Sequence, residues 1–216
     1  MTGSDHPRSH KDLIYLAAKL ARIDEPHISP LNDLVRDMQA DTGGEVPWFD
    51  PDSGGTAARA LFLYEAPGAR STGPDGPRKK SKGSGIISPD NNDDTAENSW
   101  LLYRDANLPR HLTVVWNIVP WYLGTPTAIR SPDDDDVAAA QPYLDRLVRL
   151  LPDLRVVVAF GDKARDGWLR YLLRPDAPLL PTLACPHPSP QVLRRRPAYR
   201  DRILNALNRV TSIVTD

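Results

Sequence analysis

Ala60-Leu61-Phe62-Leu63-Tyr64-Glu65-Ala66-Pro67-Gly68 is the stretch that decides the fold. Five apolar residues in a row, closed by proline and glycine, are too few for a helix face and read as a strand buried on both sides. Two further runs share this build: Leu112-Thr113-Val114-Val115-Trp116 stops at Asn117, and Arg155-Val156-Val157-Val158-Ala159-Phe160 stops at Gly161. A fourth, shorter strand is expected over residues 179–184, running into His187-Pro188-Ser189-Pro190. Helical patterning fills the gaps. Leu13, Ile14, Leu16, Ala17 and Leu20 recur at helical spacing within 11–23, and a weaker pattern covers about 30–38. Further helices are expected over 99–106, from the acidic run at 133–136 to about 151, over 162–172 with Asp162 as N-cap, and over 197–210. Strands alternating with helices predict an α/β fold: three αβα layers around a central, mainly parallel four-stranded sheet.

The Gly-, Pro- and Asp-rich connection at 42–56, anchored by Trp48 and Phe49, divides the chain into a helical extension and linker (1–58) and an α/β domain (59–216). Within that domain, residues 69–95 form a long polar segment, of the kind that is either functional or unstructured. Of the 216 residues, 40% are hydrophobic and 25% charged, which is enough apolar material for a sizeable core. The net charge of −1 does not demand a nucleic-acid partner, so charge must be read locally. Arg70, Arg78, Lys79, Lys80 and Lys82 follow the first strand, and Arg194, Arg195 and Arg196 follow the His-Pro-Ser-Pro turn. Cys185, the single cysteine, excludes a disulfide framework and a cysteine-ligated iron–sulfur cluster. The acidic run lacks the glycine and spaced ligands of a calcium loop and suits a helix N-terminus. With no signal-peptide pattern and no apolar run near the roughly 20 residues of a membrane span, a cytoplasmic protein is expected.

In an open parallel sheet, ligands bind beyond the carboxyl ends of the strands. Three of the four expected strands carry a distinctive polar residue there: Glu65, Asn117 and His187. Each has a plain structural reading, as a turn cap, a turn residue and a hydrogen-bonded core histidine. Together they form a chemical set. An amide offers a donor and an acceptor to the imide-like edge of a planar base. An imidazole can hydrogen-bond an oxygen that gains negative charge, and a carboxylate can position water.

These motifs resemble the uracil-DNA glycosylase superfamily. Tyr64-Glu65-Ala66-Pro67-Gly68 matches four of five positions of the Gly-Glu-Ala-Pro-Gly motif of its iron–sulfur branch, and His187-Pro188-Ser189-Pro190 is intact. Trp116-Asn117-Ile118-Val119-Pro120 lies between them as the family places its asparagine, and Val157-Val158-Ala159-Phe160-Gly161 and Pro142-Tyr143-Leu144 are also similar. The resemblance covers roughly residues 59–207. It implies a DNA glycosylase without metal or other cofactor, acting as a monomer on single-stranded or duplex DNA that carries a damaged base. Glu65 would position the water, Asn117 would read a flipped-out uracil, and His187 would stabilise charge on its oxygen. Ala66, Pro67, Gly68 and Ile87 would line the base site, with Ile86 or Ile87 as the nearest apolar residue to stack on the base. Ser189 would pin a phosphate, Val192 or Leu193 would wedge into the stack, and Arg194, Arg195, Lys79 and Lys80 would hold the strand.

The chain also departs from the family. The cluster cysteines are missing, and Tyr64 replaces a glycine. Ala66 stands where another branch has a catalytic aspartate, and Gly68 where that branch has the tyrosine that excludes thymine. Two other readings stay open: a binding protein for uracil or abasic DNA, and a hydrolase of free nucleosides or nucleotides, which would not need the basic loops.

Overall fold

The computed structural model describes residues 6–73, 83–125, 128 and 130–216. Four strands, β2 (Ala60–Tyr64), β4 (Thr113–Asn117), β5 (Val156–Phe160) and β6 (Thr182–Cys185), form one parallel sheet in the order β4-β2-β5-β6. A separate two-residue parallel pair joins β1 (Trp48–Phe49) to β3 (Ile86–Ile87).

Side-chain alternation along the strands creates two cores. Leu61, Leu63, Val114, Trp116, Val157 and Ala159 point to one face. There they meet Leu31, Leu34, Val35 and Met38 of α2 (Ser29–Thr42), Leu144 and Leu147 of α4 (Asp134–Arg149), and Trp168 and Tyr171 of α5 (Asp162–Leu172). Ala60, Phe62, Val156, Val158 and Phe160 point to the other face, against Leu102 of α3 (Asp94–Asp105) and Ile203, Leu207, Val210 and Val214 of α7 (Ala198–Thr215). Each of these larger side chains contributes about 1.5–3 kcal/mol by leaving water. The outcome is the expected three-layer αβα architecture. α2, from the N-terminal segment, shares its core with the sheet, and Phe49 stacks on Trp116 with ring centroids 3.7 Å apart. No described helix is long and apolar enough to cross a membrane.

Several boundaries differ from the sequence reading for local reasons. β6 starts at Thr182, because Pro181 has no N–H to give the ladder and Leu179 is 93% exposed. Gly161, not Asp162, occupies the N-cap of α5, at φ +88°; its N–H donates to the Cys185 carbonyl (2.8 Å), and Asp162 is the first helical residue. α3 begins at Asp94, five residues early, because Asp93 caps it by accepting from the Ala96 N–H (2.9 Å). Its polar first turn hides the helical period. The acidic run does open a helix: Asp133 and Asp136 form a reciprocal capping box. The C-terminal part of the expected irregular segment is not irregular, since it carries β3 and a hydrogen-bonded turn.

Candidate functional site

The register of the sheet brings the site together. Tyr64 pairs with Asn117 and Phe160 with Cys185, so the carboxyl ends of all four strands finish on one rim. On the α3 side of that rim lies a cavity of about 320 Å³, within the size range of small-molecule sites. Asn117 and His187 both line it, as do Ala66, Pro67, Gly68 and Ile87. Six of the expected site residues therefore meet in one place although they are spread from Ala66 to His187.

His187 is held from several directions. The Ser189 N–H donates to its Nδ1 (3.2 Å). Nδ1 is thus an acceptor, and the neutral ring carries its proton on Nε2. Asn98 of α3 donates its side-chain N–H to the Pro188 carbonyl (2.8 Å), tying the turn to the cavity wall. A Cβ built on Gly161 would lie 3.4 Å from the His187 Cβ, so the backbone passes close behind the ring. Burial pushes the imidazole below its ordinary value, against an opposing pull from the Glu65 carboxylate. The result is a neutral ring with one N–H to offer. Gly161→Ala would place a side chain at φ +88°, a conformation worth about 1–3 kcal/mol of strain for a non-glycine residue. A lower thermal midpoint, with the α/β circular-dichroism signature kept, is the expected result.

Asn117 is 4% exposed, and no described group accepts a hydrogen bond from its Nδ2. A buried amide donor without a partner is costly unless a ligand supplies the acceptor. Several other polar side chains of the cavity are already engaged. Ser88 bonds the Asp90 N–H, Asn91 bonds the Ile86 carbonyl and Ser84, and Asp93 caps α3. Ser99 bonds the Thr95 carbonyl and the Tyr64 hydroxyl.

The remaining expected residues are placed differently. Glu65 follows β2, and its carbonyl accepts from the Val119 N–H (3.1 Å), but its side chain does not line the cavity; it reaches His187 only through its charge. Ser189 is the N-cap of a short helix, α6 (Pro190–Arg195), its Oγ accepting from the Val192 N–H. Val192 and Leu193 therefore sit in a helix rather than a loop. Leu193 packs against the α7-side core, which opposes a free wedge there. Arg194 and Arg195 are exposed on α6, with Arg194 Nε donating to the Pro190 carbonyl. Ile87 lines the cavity and Ile86 is fully buried. Lys79 and Lys80, with Arg78 and Lys82, lie outside the described residues.

Two features escaped the sequence reading. One is a hydroxyl cluster in which Ser99 Oγ and Tyr103 Oη both lie 3.0 Å from Tyr64 Oη. The other is a buried ionic network behind the wall at 87–91. Lys19 Nζ meets Asp90 (2.6 Å), Asp50 (2.9 Å) and Asp52 (3.1 Å), while Arg110 bonds Asp90 (2.8 Å) and Asp50, and Arg22 bonds Asp52 (2.6 Å). Three cations thus face three buried aspartates, and Arg22 also pairs with the more exposed Glu25 (2.8 Å). The only sequence signal was a single lysine one turn after Tyr15 on an amphipathic helix, α1 (Leu13–Leu20).

Comparison with known proteins agrees with this geometry. No curated protein matches the chain. The family model described as the uracil DNA glycosylase superfamily matches residues 93–208. The matched segment starts after Glu65 but contains α3, Asn117, Gly161 and the whole His-Pro-Ser-Pro turn. Since it spans more than half of the sequence and includes the ends of β4, β5 and β6, this chain belongs to the uracil DNA glycosylase superfamily.

Proposed function

We propose that this chain is a DNA glycosylase that hydrolyses the N-glycosidic bond of uracil, or of a related deaminated base, flipped out of DNA. The observation that carries the reading is that buried Asn117, whose Nδ2 has no hydrogen-bond partner among the described residues, lines the same cavity as the neutral His187 ring. A base stacked in a duplex cannot reach such a cavity and must be extruded. Asn117 then donates from Nδ2 to one base carbonyl and accepts the adjacent ring N–H at Oδ1. His187 donates its Nε2–H to the carbonyl beside the glycosidic nitrogen. As the bond from C1′ to that nitrogen breaks, its electron pair moves onto the base, and the charge collects on the oxygen that faces His187. Water adds to C1′ to give the abasic sugar, losing a proton to the Glu65 side or to solvent, and the base anion regains a proton on release. This sequence of steps requires no metal and leaves the DNA backbone uncut, as in a monofunctional enzyme of base excision repair. Arg194 and Arg195, exposed beside the rim, suit the flanking phosphates.

The test is release of uracil from single-stranded and duplex oligonucleotides. Asn117→Ala is expected to lower kcat/KM for uracil about 10-fold or more, the scale of one lost hydrogen bond to a buried partner. Abasic product binding should change little, because the amide contacts only the base. A variant as active as the wild type would remove Asn117 from base recognition. A second reading, a uracil- or abasic-DNA-binding protein with weak turnover, is favoured by the absence of Glu65 from the cavity lining. Salt-sensitive binding without excision of any tested base would select it.

A further inference from the structure

We propose that Tyr64 is a positioning residue for His187: its immobilised ring is the wall that fixes the imidazole and keeps water off one side of it. Tyr64 stands where the Gly-Glu-Ala-Pro-Gly motif of the iron–sulfur branch has glycine, so this chain has a ring to contribute there. The Tyr64 ring meets the His187 ring edge to face, with centroids 5.6 Å apart and planes at 87°. On its other side Tyr64 stacks on Phe160, centroids 4.8 Å apart and planes at 17°. Phe160 is in turn fixed in β5 beside Cys185, in the strand that leads to His187. At its far end the Tyr64 hydroxyl is bonded to Ser99 and Tyr103, both at 3.0 Å. The Ser99 hydroxyl donates to the Thr95 carbonyl (2.9 Å), so it accepts from Tyr64. Edge-to-face aromatic contact holds a ring in orientation as well as in place. The Ser189 N–H fixes which imidazole nitrogen points inward; the Tyr64 ring fixes the plane in which it does so.

The elements around His187 carry several titratable or charged groups: Glu65 follows β2, Arg70 lines the same cavity, Asp162 follows Gly161, Cys185 ends β6, Asp93 and Tyr103 belong to α3 and its cap, and Arg194 and Arg195 lie on α6. Of these only the Glu65 charge acts on the ring, and it favours protonation; burial opposes it and prevails. Burial also raises the Tyr64 phenol to about 12, so the wall itself stays uncharged near neutrality. Removing the aromatic wall exposes the imidazole to water while leaving Glu65 in place. With less burial and the same pull from Glu65, the His187 titration moves upward, toward the ordinary imidazole value of about 6.5.

The inference rests on the glycosylase reading only for its kinetic readout, because the titration is followed in the full-length protein without substrate. The His187 ring resonances, assigned by their loss in His187→Ala, are followed by NMR against pH in the wild type, Tyr64→Phe, Tyr64→Leu and Tyr64→Met. Tyr64→Phe keeps the ring and should titrate as the wild type does. The folded non-aromatic variants should titrate higher, and the acid limb of uracil release should move by the same amount, with kcat falling about 10-fold and KM little changed. A folded Tyr64→Leu or Tyr64→Met with the wild-type midpoint overturns the proposal. If neither of these folds, Tyr64→Phe decides: an unchanged midpoint supports the ring as the wall, and a raised midpoint overturns it. A wild type that releases no base would sink the glycosylase reading and leave the titration to judge Tyr64.

Discussion

His187→Ala is expected to slow uracil release about 10²–10³-fold, the cost of removing one preorganised donor to a developing oxyanion. The effect should fall on kcat more than on KM, since the Nε2–H bond strengthens only as charge builds on the base oxygen. The neutral tautomer matters to this argument. Because Nδ1 is occupied by the Ser189 N–H, deprotonated Nδ1 and protonated Nε2 form one defined state over the working range. Burial lowers the His187 value, so that state persists below the ordinary imidazole midpoint. The rate of the wild type should therefore hold as pH falls through about 6.5 and decline only at lower pH, where the ring takes up a second proton. His187 contributes to stability in the same sense. A histidine depressed in the folded state favours folding fully above its unfolded value, and that contribution is lost as pH falls through the folded value. Single-turnover rates across pH 5–8, for wild type and variant at matched DNA saturation, would check both points. A variant within threefold of the wild type would remove His187 from the chemistry.

The sheet was legible because each central strand is an unbroken apolar run, and a strand buried on both faces has no other pattern. Asn117 and His187 were legible for a related reason: polar residues directly after such runs must lie on the carboxyl rim. Glu65 met the same rule, yet its side chain does not enter the cavity. The strand ends at Tyr64, and alternation sends Tyr64 to the α3 side of the sheet with Asn117. A rim position defines an end of the sheet; it does not define a face. The wall at 87–91 was hidden in a Gly-, Ser- and Asp-rich segment, because its order comes from distant partners rather than local periodicity. His10 reaches Asn91 (2.7 Å) across 81 positions, and Lys19 reaches Asp90 across 71. Such pairs leave no mark on local composition. The short helix α6 was missed because six residues are too few for a periodic signal.

Those distant partners lead to the largest expected effect on stability. Lys19 is 2% exposed, Asp50 5% and Asp90 0%, so removing the cation leaves a carboxylate excess in the interior. Lys19→Met fills similar space without charge and is expected to cost about 3–5 kcal/mol, or roughly 10 °C or more in melting temperature at neutral pH. The dependence on pH separates this from a packing defect. Burial alone would raise the Asp50 carboxyl, but Arg110 and Lys19 outweigh it and hold it well below the usual carboxylate range; Asp90 is lowered by the same two cations against the same opposition. Depressed carboxylates stabilise the fold above their unfolded values, near 4, and lose that contribution as pH falls through the folded values. The wild type therefore weakens on acidification below about pH 4, where the unfolded chain takes up protons that the paired Asp50 and Asp90 do not. In Lys19→Met the buried carboxylates take up protons more readily, and protonation relieves the excess charge. The stability gap between the two proteins should narrow steadily as pH is lowered, as urea unfolding at pH 7, 5 and 4 would show. A gap that stays constant would assign the loss to packing. Lys19 and Arg110 also bond Ser88, which lines the cavity. The folded fraction of Lys19→Met should therefore bind free uracil more weakly while holding abasic DNA as the wild type does. That pairing of a stability loss with a base-specific binding loss is what a lysine bracing one wall of the base site requires.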